Sequence, residues 1–179
     1  MFTVPLPPQP IPLLVVGLVV VTASTDIVCR RIPNLVIAMG LLAAFVVQAC
    51  LHGPVSGVGD ALAGTFTGFA LLIPLYLLRA TGAGDVKLLA MIGAWIGPAM
   101  ILYVALTAFV IGGVWSIVWT LFRGRMQQFL LNLWSITHGG WRLQQDGPND
   151  TSGIKSVGTL PYGVAIAAGT LVTLFMSVV

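Results

Sequence analysis

Long apolar stretches separated by short polar segments dominate this chain. Four of them have the length of a single membrane span and cover residues 11–27, 33–51, 59–78 and 159–179. A fifth covers residues 86–122, which is too long for one span but suits two spans with a break near Gly97-Pro98. The stretches are also far too long for the strands of a transmembrane barrel. The pattern therefore predicts an all-α polytopic membrane protein with six transmembrane helices.

The composition supports the same class. Only 7% of the 179 residues are charged, whereas soluble domains average about 25%. Hydrophobic residues make up 58% of the chain, and the mean hydropathy is +1.01. A water-soluble globule needs more polar surface than this, so a soluble domain, a disordered chain and a nucleic-acid-binding module are excluded. The two cysteines, Cys29 and Cys50, have no metal-ligand spacing, and we expect neither a metal site nor a disulfide scaffold.

The eight basic residues agree with one arrangement in the membrane. They fall in three segments, which contain Arg30 and Arg31, then Arg79 and Lys87, and finally Arg123, Arg125, Arg142 and Lys155. Six crossings place these segments on one side and leave both termini and the loops without Lys or Arg on the other. Because basic loops stay in the cytoplasm, we predict that both termini lie outside. Five crossings would send Arg79 or Lys155 to the wrong side.

The longest polar stretch covers residues 123–159, on the predicted cytoplasmic side of what we expect to be a single domain, 1–179. Its first part has apolar side chains at helical spacing, among them Phe129, Leu133 and Trp134, with polar residues mostly on the other face. This pattern is typical of an amphipathic helix that lies in the membrane interface. A plain connecting loop is the alternative.

Two pairs of glycines have the GxxxG spacing. They are Gly64 with Gly68 and Gly93 with Gly97. Such pairs let the backbones of two helices approach closely, so they predict tight helix packing.

The acidic residues are few, with five aspartates and no glutamate. Asp146 and Asp150 lie in the polar loop, whereas Asp26, Asp60 and Asp85 lie at the ends of spans, where an ionisable group is costly and calls for a reason. Six crossings put Asp26 and Asp85 in the same leaflet and Asp60 about a membrane thickness away. We therefore assign Asp60 to the N-cap of the third span and treat Asp26 and Asp85 as a pair.

Two facing carboxylates suggest acid–base chemistry. Like charges a few ångströms apart do not both ionise easily, so one keeps a proton while the other accepts one from water. Other interpretations stay open: Asp26 can pair with Arg30 one turn away, and Asp85 can cap a helix. Lys87 either extends to the interface, holds Asp85 ionised or contacts an acidic residue of the substrate. The alternative to an enzyme is a small transporter or assembly subunit with an Asp26/Asp85 ion or proton site.

Three blocks of sequence point to a family. They are Asp26 with the later Arg31-Ile32-Pro33-Asn34, then Gly82-Ala83-Gly84-Asp85-Val86-Lys87-Leu88-Leu89-Ala90, and Pro161-Tyr162-Gly163-Val164-Ala165-Ile166-Ala167-Ala168-Gly169. In this combination and order the chain resembles the type IV prepilin peptidases, which are membrane aspartyl proteases of the GxGD type. GxGD also occurs at residues 57–60, but only the copy at residues 82–85 is followed by a lysine two positions later, Lys87. The resemblance implies that Asp26 and Asp85 are catalytic and that the residues supporting the motifs are Gly82, Gly84, Lys87, Pro33 and Asn34.

The resemblance also implies an activity and a location. It implies an aspartic endopeptidase that needs no metal or cofactor and cleaves the leader of a prepilin-like protein, for type IV pilus assembly or protein secretion. Cleavage is expected at the cytoplasmic face of the bacterial inner membrane, with the substrate and the lipid bilayer as partners and no nucleic acid. Longer relatives carry an extra domain with CxxC motifs and methylate the new N-terminus. This chain lacks CxxC, so we expect no methyltransferase activity, and its short form is similar to the peptidases of tight-adherence (Flp) pili.

Overall fold

The structure is a computed structural model that describes residues 7–29, 32–78, 81–122 and 162–177. Over these ranges the chain is helical and contains no strand. The helices are α1 (Ile11–Cys29), α2 (Asn34–His52), α3 (Ser56–Leu77), α4 (Ala83–Phe122) and α5 (Tyr162–Met176). The first four are long and apolar enough to cross a membrane, and α5 is a shorter apolar helix. The prediction of an all-α chain is confirmed for this part of the molecule.

Other parts of the topology stay predictions. The number of crossings and the position of the termini depend on the membrane and on loops that include Arg30, Arg31 and Arg79. These residues, like the predicted interfacial helix within 123–159, lie outside the described residues. Residues 1–112 with 161–179 form one compact unit, and residues 113–160 form a second. The packing described below is that of the first unit.

Each of the first three helices turns one narrow stripe toward its neighbours. In α1 the buried residues follow one another at intervals of three or four: Ile11, Val15, Val19, Thr22 and Asp26. This spacing keeps them on one face of the helix. The opposite faces are exposed and still apolar, as at Leu13, which is 71% exposed. Apolar outer faces suit contact with lipid, and they leave the inner stripes for packing and for the polar groups.

The first half of α4 is the centre of this unit, because residues 88–96 are all buried. The helix breaks at Gly97, whose backbone has φ 79° and ψ 173°. A Cβ built on Gly93 would lie 3.4 Å from Cγ1 of Ile101, whereas eight residues of continuous helix separate two positions by about 12 Å. The chain therefore folds back at Gly97-Pro98. The break predicted there is confirmed.

A polar side chain from α2 supports this break. Pro98 has no N–H, so it cannot donate to the carbonyl of Ala94 as a helix would require. The Nε2 of Gln48 donates to the carbonyl of Trp95 at 2.8 Å and to that of Ala94 at 3.4 Å. In return, Nε1 of Trp95 donates to the carbonyl of Gly40 at 3.0 Å. These hydrogen bonds attach α2 to α4 at the point where Pro98 interrupts the backbone hydrogen bonds of α4.

Glycines bring α3 against the first half of α4. A Cβ on Gly64 would overlap the backbone carbonyl of Gly93, and a Cβ on Gly68 would overlap that of Leu89. The close packing predicted from the GxxxG spacing is confirmed for Gly64, Gly68 and Gly93. Gly97 differs, since nothing surrounds the position of its Cβ and its positive φ is what requires glycine there.

The assignment of Asp60 to an N-cap is wrong. Helix α3 begins at Ser56, four residues before Asp60, and its N-cap residue is Val55, which makes no side-chain cap hydrogen bond. The hydroxyl of Ser56 donates instead to the carbonyl of His52, at the end of α2. Asp60 is therefore an exposed residue within the helix. The glycine-rich SGVG segment, which lies mostly before the predicted span 59–78, already belongs to α3.

Candidate active site

Asp26 lies on the buried stripe of α1, close to the C-terminal end of that helix. A helix C-terminus is the unfavourable end for a carboxylate. The structure provides a compensating contact, because Oδ2 of Asp26 accepts a 3.1 Å hydrogen bond from the N–H of Gly163. Gly163 is in the first turn of α5, where backbone N–H groups lack partners within the helix and negative charge is favoured. The N-terminus of α5 thus stabilises a charge that α1 alone would disfavour.

Gly163 is the site residue that sequence reasoning missed. A Cβ at this position would lie 2.6 Å from Oδ2 of Asp26, so only glycine lets the backbone approach the carboxylate. In the sequence, Gly163 stands out only as part of the block from Pro161 to Gly169. The local signal was the Pro161-Tyr162-Gly163 segment, because proline is favoured near the start of a helix. That signal predicts the start of α5 but does not identify the carboxylate that α5 contacts.

Asp85 is the third residue of α4. Its Oδ2 accepts a 3.1 Å hydrogen bond from the N–H of Gly82, which immediately precedes the helix. This is one half of a capping box, in which a carboxylate at the third position reaches back to the N-cap N–H. Asp85 therefore does stabilise the start of a helix, from the third position and not from the cap itself. The bond occupies only one of its two oxygens.

The structure brings the predicted pair together. Asp26 and Asp85 are both buried, and Asp85 lies within electrostatic range of Asp26. A backbone N–H holds Oδ2 of each. No described residue donates to Oδ1 of either, so one oxygen of each carboxylate is free for a water molecule or a substrate. Two adjacent carboxyl groups arranged in this way can act as a general acid and a general base.

Asp60 lies apart from this pair. Gly64 of α3 packs beside Gly93, which is eight residues along α4 from Asp85. Asp60 lies one further turn away in the same direction. At 1.5 Å per residue, the separation from Asp85 along the helices is about 18 Å. The GxGD copy at residues 57–60 thus has no part in the arrangement around Asp26.

The residues predicted to support the motifs fix the starts of two helices side by side. Pro33 is the N-cap of α2, and its carbonyl accepts the N–H of Val36 at 3.1 Å. Asn34 accepts a 3.1 Å hydrogen bond from Nζ of Lys87, an exposed side chain of α4. No ion pair joins Lys87 to Asp85. Lys87 thus joins α4 to the start of α2, and the hypothesis that it holds Asp85 ionised stays a prediction.

Gly84 lies beside Ile32, just before α2. A Cβ there would lie 3.7 Å from Ile32, at ordinary contact distance, so the space around this position does not itself require glycine. The alternative partner of Asp26, Arg30, lies outside the described residues. Within the described ranges, no group of three or more His, Cys, Asp or Glu side chains could hold a metal ion.

Comparison with known proteins gives one match at the level of the family. The family model described as the type IV leader peptidase family matches residues 13–117, which is more than half of the chain. The matched range contains both Asp26 and Asp85 but ends before α5. No curated protein and no solved structure matches the chain significantly.

Proposed function

The chain belongs to the type IV leader peptidase family, and from this premise we propose that it is an aspartic endopeptidase whose catalytic groups are Asp26 and Asp85. The observation that carries the proposal is the pair of buried carboxylates, each held through one oxygen by a backbone N–H near a helix start. The substrate is a prepilin-like protein, and the bond cleaved joins its leader to the mature chain. Several long apolar helices make the peptidase a multi-pass membrane protein.

The hydrolysis needs one water molecule and the two carboxyl groups. The ionised carboxylate takes a proton from the water as the water oxygen attacks the carbonyl carbon of the peptide bond. The protonated carboxyl group gives its proton to the carbonyl oxygen, so a gem-diol forms. When the C–N bond breaks, the first group returns its proton to the leaving nitrogen and the second recovers one from the diol. The products are the carboxyl end of the leader and the amino end of the mature protein.

The side of the membrane follows from the charges and from the helix ends. Asp26 lies near the end of α1 and Asp85 at the start of α4, so the site is close to one membrane surface. The basic residues Arg30, Arg31 and Lys87 border these same helix ends in the sequence, and basic segments face the cytoplasm. We therefore propose cleavage at the cytoplasmic face of the bacterial inner membrane.

Replacement of each aspartate by asparagine tests the proposal. Asparagine keeps the shape and an acceptor oxygen for the N–H of Gly82 or Gly163, but it neither accepts nor donates the catalytic proton. We expect Asp26→Asn and Asp85→Asn to abolish cleavage of a prepilin-like protein from the same host, co-reconstituted in liposomes. The readout is the N-terminal sequence of the product. Thermal unfolding in micelles shows whether each variant is folded.

Asp60→Asn is the matched control, because it makes the same change in the other GxGD copy at an exposed site. It should cleave within about twofold of the wild type, as exposed substitutions away from a site have small effects. Wild-type cleavage by either Asp26→Asn or Asp85→Asn would exclude the proposed pair. Proton flux without any proteolysis would favour the transporter.

A further inference from the structure

Two hydroxyl groups next to the aspartate pair are buried without a partner. They are the side-chain hydroxyls of Thr81 and Tyr162, and neither makes a hydrogen bond within the described part of the chain. Buried hydroxyls are nearly always hydrogen-bonded, because an unpaired one costs about 1–3 kcal/mol. One unpaired buried hydroxyl calls for an explanation. Two of them close to one site suggest a single explanation for both.

Their positions in the sequence match. Thr81 immediately precedes Gly82, whose N–H holds Asp85, and Tyr162 immediately precedes Gly163, whose N–H holds Asp26. Each aspartate is thus anchored by a glycine, and each of these glycines follows a residue with an unpaired hydroxyl. The two hydroxyls therefore belong to residues next to the two anchoring glycines, one on the segment before α4 and one at the start of α5.

Contacts of the tyrosine ring orient the hydroxyl of Tyr162. The ring lies 6.4 Å from that of Phe109, centroid to centroid, and a Cβ on Gly112 would lie 3.2 Å from its edge. Both neighbours belong to the second half of α4. The side chain is also within electrostatic range of Asp85. The ring is thus packed on one helix while its polar end comes near the aspartate that α4 carries.

The chemistry of the substrate provides the missing partners. A peptide that lies extended across a protease site presents unpaired carbonyl and N–H groups on both sides of the bond to be cleaved. A hydroxyl can donate to such a carbonyl or accept from such an N–H. Building on the proposed function, we infer that the hydroxyls of Thr81 and Tyr162 bind the backbone of the substrate on the two sides of the Asp26–Asp85 pair.

The burial of both hydroxyls predicts how their removal would change the stability of the protein and its binding of substrate. In the free protein they are closed off from solvent and unpaired, so the closed site carries an energetic cost that a substrate removes when it enters. Removing either hydroxyl should therefore leave the free protein as stable or more stable, and should weaken its hold on the substrate. A hydroxyl with a purely structural role would give the opposite result for stability.

The experiment uses Tyr162→Phe and Thr81→Val, which remove only the hydroxyl or exchange it for a methyl group. We expect each to raise KM for the reconstituted prepilin-like protein about tenfold, since a lost hydrogen bond is worth up to about that factor, with kcat within about twofold. Unfolding temperature should be unchanged or higher. Thr81→Ser, which keeps the hydroxyl, should rescue most of the increase in KM that Thr81→Val causes. Tyr103→Phe and Thr67→Val are matched controls at an exposed tyrosine and a threonine whose hydroxyl is exposed.

A binding measurement separates this inference from the proposed function. On an Asp26→Asn/Asp85→Asn background, Tyr162→Phe and Thr81→Val should each weaken binding of the uncleaved substrate about tenfold. If the wild type cleaves, both aspartate variants are inactive, and the hydroxyl variants cleave and bind normally, only the inference fails. A loss of unfolding temperature in the hydroxyl variants would also overturn it. If the wild type cleaves nothing, the proposed function fails first.

Discussion

The N–H of Gly163 and the Oδ2 of Asp26 are joined by a 3.1 Å hydrogen bond between residues 137 positions apart in the chain. The bond connects the C-terminal end of α1 to the first turn of α5. It supplies Asp26 with the helix N-terminus that its own helix cannot offer. The arrangement of the pair therefore depends on a helix beyond the matched residues 13–117.

Gly163→Ala should disable the site while the protein still folds. The added Cβ would lie 2.6 Å from Oδ2 of Asp26, which is too close, so the carboxylate or the start of α5 must move. A displacement of about 1 Å at a catalytic group costs on the order of 100-fold in rate. We expect kcat to fall by about that factor in the liposome cleavage assay.

Gly17→Ala is the control for this change. Gly17 lies on α1, like Asp26, and nothing surrounds the position of its Cβ. Cleavage should be unchanged, and stability equal or slightly higher, because alanine favours a helix more than glycine does. Equal activity of Gly163→Ala and Gly17→Ala would mean that the close approach of Gly163 to Asp26 is not needed for cleavage.

Much of the helical architecture was predictable because its signal is local. The apolar stretch 33–51 became helix Asn34–His52, and the stretch 11–27 became Ile11–Cys29. The length of an apolar run predicts the length of the helix, and a proline after a glycine predicts a break, as at Gly97-Pro98. The wrong N-cap at Asp60 arose where four residues, SGVG, are compatible with either a loop or a helix.

The contacts between helices were less predictable. Charge placement indicated that Asp26 and Asp85 share one end of the bundle, because that inference needs only the direction of each crossing. The partner of Asp26 depends on how α1 and α5 pack. Periodicity shows which face of a helix is buried, but it does not identify the neighbouring helix. Gly163 and the unpaired hydroxyl of Tyr162 therefore became visible only in the structure.

Gln48→Met should destabilise the fold at the break in α4. Methionine has a similar length but cannot donate the bonds that Nε2 makes to the carbonyls of Trp95 and Ala94. Left without that donor in an apolar interior, these carbonyls should reduce the free energy of unfolding by about 1–3 kcal/mol. Denaturation in mixed micelles measures the loss. Cys50→Ser, an exposed change on the same helix, should alter it by less than about 0.5 kcal/mol, and equal values for the two variants would contradict this role for Gln48.

Gly64→Ala should loosen the packing of α3 on the helix that carries Asp85. The added methyl group would overlap the backbone carbonyl of Gly93, and a backbone atom cannot rotate away as a flexible side chain can. Overpacking of this kind costs about 1–3 kcal/mol, which denaturation in micelles would record. Gly59→Ala makes the same change on α3 at a position with open space around it, so it should leave stability unchanged or slightly higher. If Gly64→Ala proved as stable as Gly59→Ala, the close approach of α3 to α4 would not contribute to the stability of the fold. A loss confined to Gly64→Ala, together with slower cleavage, would show that this packing also supports the position of Asp85.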